Sequence, residues 1–132
     1  MQHDEFIGQV QARARLDSRG AAEQATRATL ETLAQRLAGG LPGNVAGQLP
    51  PEIGLHLSRS DDVEQFGLQE FYERVAERES PGTDLPQAAF HARVVLSVLD
   101  EALQGDLLGR VKDQLPDEYR ELFSFGDIQA PS

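Results

Sequence analysis

Few side chains in this sequence are able to do chemistry, and their spacing decides what they can do. The three histidines, His3, His56 and His91, stand far apart. Zinc needs three or four converging ligands, and ligand pairs on a helix stand three or four residues apart. Neither His-x-x-x-His nor Glu-x-x-His occurs, and cysteine is absent, so no metal centre or disulfide is written here. Carboxylates pair at Asp61-Asp62, Glu73 with Glu77, and Asp100-Glu101. General acid–base work needs a cleft that raises one pKa, and the sequence around these pairs builds none. The serines form no nucleophile elbow, the glycines no phosphate loop, and the acidic residues lack EF-hand spacing. The sequence therefore assigns no catalytic residue, cofactor or metal ligand.

Two charged sets remain. Arg27 and Arg93 stand 66 residues apart, and so do Glu52 and Glu118. Each arginine falls roughly 100° from the centre of a leucine stripe, one helical step per residue. That is the edge of a buried face, where the stem lies on apolar surface and the guanidinium reaches a carboxylate. The expected partners are Glu52 for Arg27 and Glu118 for Arg93, as structural ion pairs fixing a short helix to a long one, with a ligand-binding arginine as the alternative. A second candidate is the stripe Tyr119, Leu122 and Phe123, at i, i+3, i+4 in the last helix. Core packing is the commoner use of such a stripe, but aromatic residues also anchor interfaces, and Phe125 and Ile128 follow it.

The elements that must position these residues are helical. Phe6, Ile7, Val10 and Ala14 form an apolar stripe from Asp4, the expected N-cap, to Arg15. Ser18 can cap a long second helix reaching about Ala38, with Ala22, Thr26, Leu30, Leu33 and Leu37 on one face and a Gly39-Gly40 stop. Two short helices follow, separated at Pro50. The polar run from Ser58 to Gly67 reads as a linker, with Phe66 as its anchor on the core. No stretch alternates like a strand, so the class is all-α.

The chain reads as one unit written twice. Phe6/Phe71, Val10/Val75 and Arg13/Arg78 stand 65 residues apart. Beyond the loop at Ser80-Pro81-Gly82, where one residue is inserted, the separation is 66 for Leu30/Leu96, Leu33/Leu99, Gly39/Gly105, Gln48/Gln114 and Pro50/Pro116. Asp84, followed three residues later by Gln87, resembles a capping box for the second long helix. The expected organisation is a single helical domain over 1–132, an internally duplicated bundle with repeats 4–57 and 69–123 joined by the acidic linker 58–68. A unit of this size is marginal alone, so two similar four-helix units should pack about a pseudo-twofold axis, with the long helices near the centre.

This pattern, with Asp-Glu-Phe near the start and Gln-Leu-Pro-x-Glu closing each half, resembles the family called domain of unknown function 2267, over about residues 4–123. The resemblance implies a small bacterial or archaeal all-helical protein and transfers no activity or catalytic residue. The first half departs from it at Pro51-Glu52-Ile53-Gly54-Leu55-His56-Leu57, so the halves need not do the same job.

The formal charge of −10, from 22 acidic and 12 basic residues, repels nucleic acid and anionic lipid. No apolar run reaches the roughly 20 residues of a membrane helix and no signal peptide is apparent, so a cytoplasmic protein is expected, with no nucleic-acid or membrane partner. The function this supports is a non-enzymatic protein–protein interaction or regulatory module, through a protein partner or self-association. The alternative is a small-ligand-binding protein or enzyme with a pocket between the two repeats. A third reading is an acidic decoy for a basic surface.

Overall fold

The computed structural model describes residues 1–58 and 63–131. Residues 59–62, within the expected linker and including the Asp61-Asp62 pair, lie outside the described residues. Among the described residues there are helices and no strands, so the chain is all-α.

Helix α1 (His3–Ala14) buries Phe6, Ile7, Val10 and Ala14, as its stripe requires. Its cap differs from expectation. Gln2 holds the N-cap position without a side-chain bond, and Asp4 lies inside the first turn, where it pairs with Arg19 at 2.5 Å. Helix α2 (Arg19–Arg36) begins where Ser18 Oγ accepts the Ala21 N–H at 3.1 Å, satisfying one orphan donor. It ends two residues earlier than its periodicity suggests, because Leu37 turns extended ahead of Gly39 at φ +64°. Short helices α3 (Leu41–Ala46) and α4 (Pro51–Gly54) follow, the latter continuing into a 3₁₀ turn over Leu55–Leu57.

Helix α5 (Leu68–Glu79) buries Phe71, Tyr72 and Val75. Helix α6 (Leu85–Ala102) is capped by Asp84 Oδ1, which accepts the Gln87 N–H at 2.9 Å, and it too ends ahead of a left-handed glycine, Gly105 at φ +67°. Helix α7 (Leu107–Asp113) leads to Asp117–Phe123, which is a 3₁₀ helix rather than the α-helix its spacing suggests, and then to a 3₁₀ turn over Phe125–Asp127.

The long helices α2 and α6 touch across the middle of the bundle, and α1 and α5 each lie against both of them. Their apolar faces form one contiguous core with Phe6, Leu30, Leu33, Phe71, Leu96 and Leu99 fully enclosed, and Phe66 is drawn into it as expected. Threonines break this apolar face on α2. Thr26, Thr29 and Thr32 are all fully buried; Thr32 donates to the Ala28 carbonyl at 2.8 Å, whereas the hydroxyls of Thr26 and Thr29 have no hydrogen-bond partner among the described residues. A buried hydroxyl without a partner loses its water and gains nothing in return. Thr29→Val, which keeps shape and β-branching, should therefore stabilise the fold by about 1 kcal/mol, raising the thermal midpoint by roughly 3–5 °C. A lowered midpoint in calorimetry would show that the hydroxyl has a partner after all.

Candidate functional site

Much of the polar chemistry of the molecule joins its first half to its second. Arg13 on α1 donates to Glu101 at 2.9 Å and to Ser97 at 3.3 Å, both on α6. Arg78 on α5 donates to Thr32 at 2.6 Å and Gln35 at 2.9 Å, and stands 3.8 Å from Glu31, all on α2. The Arg13 hydrogen bond, with its charge, holds the Glu101 carboxyl below the usual carboxylate range. The glutamines cross in the same way. Gln48 Oε1 accepts the Gln104 N–H at 2.8 Å, just past α6, and Gln114 Oε1 accepts the Ala38 N–H at 2.8 Å, just past α2. Each bond satisfies a backbone donor at the end of a long helix of the other half. Gln48→Ala and Gln114→Ala should each cost about 1 kcal/mol. Being separate sites, their losses should add in the double variant in urea titration, and strong non-additivity would show that they are not independent.

The expected ion pairs are not the ones formed. Arg27 donates to Glu31 on its own helix at 3.3 Å, not to Glu52. Arg93 donates to the Ser124 carbonyl at 2.6 Å and to Asp127 at 2.8 Å, not to Glu118, and so clasps the tail. Glu118 instead accepts the Leu68 N–H at 2.8 Å and caps α5. Glu52 has no hydrogen bond or ion pair among the described residues. The expected interaction surface is also corrected, since Tyr119, Leu122 and Phe123 are 1 %, 0 % and 8 % exposed and belong to the core.

Tyr119 is the centre of a buried polar hub that spacing alone did not reveal. Its hydroxyl donates to the Phe66 carbonyl at 2.7 Å and accepts from Arg36 Nε at 3.3 Å. Arg36 is 4 % exposed, also donates to the Glu64 carbonyl, and sits 5.5 Å from the Phe66 ring centre and 5.3 Å from that of Tyr119. This cation is held by rings, a hydroxyl and a carbonyl. The only sequence signal was an arginine next to Leu37 at the end of the leucine stripe. A second unforeseen pair is His91 with Glu79, buried across the α5–α6 turn with Nδ1 2.7 Å from Oε2.

One open groove gathers several polar groups, among them Glu52 and His56, which have no hydrogen bond or ion pair among the described residues. It measures about 360 Å³ and lies between the start of α1, the first half of α2, and α4 with its 3₁₀ turn. Ile7 and Ile53, each 1 % exposed, form its floor. Arg27 and Glu52 line it together without pairing. His3 Nε2 stands 3.0 Å from Glu23 Oε1 on the rim. His56 is half-buried in it with no hydrogen bond among the described residues, and burial pushes its pKa down. A second cleft, of about 400 Å³, runs between Arg13 of α1 and Phe90, Val94 and Ser97 of α6, but Phe125 and Ile128 of the tail are part of its wall.

A family model described as an uncharacterized conserved protein, DUF2267, matches residues 3–122, from the first residue of α1 to Leu122 in the 3₁₀ helix that buries Tyr119. The chain belongs to this family. No curated protein matches it. The matched span takes in the crossing glutamines, the hub and the whole groove, and it stops short of the tail that Arg93 clasps. Among the described residues of this DUF2267 protein no helix is long and apolar enough to cross a membrane, and no group of three or more His, Asp or Glu side chains is placed to hold a metal ion.

Proposed function

We propose that the protein is a non-enzymatic binding module made of two fused copies of one helical unit, in which the second copy is structural and the first presents the groove to a protein partner. The observation that carries this reading is the groove's lining against its counterpart. At the 65- and 66-residue separations, His3, Ile7, Glu23, Gln24 and His56 correspond to Leu68, Tyr72, Ala89, Phe90 and Leu122. These counterparts are apolar or aromatic, and Tyr72 among them donates to Glu121 at 2.7 Å. At the two positions kept in both copies, Arg93 and Glu118 bind the tail and cap α5, whereas Arg27 pairs with Glu31 on its own helix and Glu52 has no partner among the described residues.

The duplication itself is supported by the crossed bonds, because Gln48–Gln104 and Ala38–Gln114 are one contact written in both directions. So are the arginine bridges from α1 to α6 and from α5 to α2. These favour face-to-face packing of two units about a pseudo-twofold axis, with the linker between them. A small-ligand pocket between the units is the less favoured reading, since the cleft at that junction is walled by the chain's own tail.

The test compares tagged full-length protein with Glu52→Gln and His56→Leu as baits in native lysate. A stoichiometric partner held by the native bait and lost from both variants is expected. A partner retained by both would overturn the groove as the binding face.

A further inference from the structure

Resting on the groove as the binding face, we infer that it takes a basic side chain, an arginine or lysine, from a segment of the partner protein. Four features of the groove support this chemistry. Glu52 is an exposed carboxylate with no partner among the described residues, at the mouth of the groove. Glu23, on the facing helix, is shared among the described residues with a histidine at 3.0 Å and an arginine at 3.9 Å. The cation already present, Arg27, is turned to Glu31, so it does not neutralise Glu52. Finally, the floor is two buried isoleucines, which match the alkyl stem of a long cationic side chain whose head stays among carboxylates.

His56, half-buried in the groove, brings no positive charge to it. The groups acting on it are Glu31, Glu23 and Arg27 on α2 and His3 on α1, with Glu52 one turn away on its own element. Burial outweighs the two glutamates and keeps its pKa low, so the ring is neutral at pH 7 and adds no positive charge. The long-range field has the same sense, because a chain of charge −10 draws cationic segments toward it. An acidic segment would meet two carboxylates and, among the described residues, no cation without a carboxylate partner.

The experiment is a titration of ¹⁵N-labelled full-length protein with N-acetyl-arginine methylamide, followed by amide chemical shifts, with N-acetyl-aspartate methylamide as the probe of opposite charge. The expected result is saturable movement of the Ile53 and His56 amides with the arginine probe. Glu52→Gln should weaken that binding about threefold or more, whereas Asp113→Asn, an exposed carboxylate outside the groove, should leave it unchanged. Equal weakening by both substitutions would overturn the proposal, since it would mean diffuse attraction to an acidic surface. So would saturation of the same amides by the aspartate probe, or no saturable shift with the arginine probe. If the partner capture described above still depends on Glu52 and His56 in that last case, the groove stands as a binding face and only its cationic chemistry falls.

Discussion

Tyr119→Ala is expected to cost about 3–5 kcal/mol, the range for emptying a large aromatic site in a packed core. For a chain of this length that lowers the thermal midpoint by roughly 10–20 °C. The side chain is 1 % exposed, its ring meets Phe71 edge-on at 5.8 Å between centres, and its hydroxyl ties the Phe66 carbonyl and Arg36 together. Its removal opens a cavity and strips a buried cation of two contacts. Tyr119→Phe separates these effects, keeping the packing and losing only the hydroxyl, for about 1–2 kcal/mol. Calorimetry on the pair checks the account. A Tyr119→Ala midpoint close to that of the native protein would mean that the residue serves a surface after all.

Gly54→Ala carries the second large effect, about 1–3 kcal/mol, from overpacking. A Cβ built at Gly54 would stand 2.8 Å from the Ala46 carbonyl oxygen and 3.2 Å from the Ala46 Cβ. The first of these is backbone and cannot rotate away, so α4 must separate from α3. Position 120, which is 66 residues later, holds an exposed arginine, and Arg120→Ala should stay within about 0.5 kcal/mol. Chemical denaturation of the two variants side by side tests the contrast. Equal midpoints would show that α3 and α4 are not in close contact at Gly54. Because α4 carries Glu52 and Ile53, Gly54→Ala should also disturb the groove.

What could be read from the sequence follows from what is local. The apolar stripes of α1, α2, α5 and α6, the caps at Ser18 and Asp84, and the left-handed Gly39 depend on residues within a turn or two of each other, and the structure has them. Asp4 failed as a cap because the helix began two residues earlier and Arg19 drew its carboxylate. The partners of Arg27 and Arg93 were not legible, because a long side chain at the edge of a buried face reaches several carboxylates. Arg27 took one on its own helix, and Arg93 took a tail whose docking no periodicity announces. The stripe of Tyr119, Leu122 and Phe123 reads identically whether it packs inward or outward, and only the tertiary fold decides. The groove was half legible. Arg27 and Glu52 were marked as a pair, but His3, Glu23 and His56 come from three separate elements that converge only on folding.

The crossed glutamines have one further consequence. A contact in which one residue meets a second, while the second's counterpart meets the first's, is the mark of an isologous interface, the kind that closes homodimers. On the proposed duplication, the chain is a homodimer whose subunits were tethered into one polypeptide. A true homodimer must display every surface feature twice, so it can neither lose a site on one side nor bind a single partner asymmetrically. Tethering lifts that restriction. One side can carry Tyr72 and Phe90 where the other has Ile7 and Gln24 beside His56, and the assembly can then carry one binding face with a direction to it.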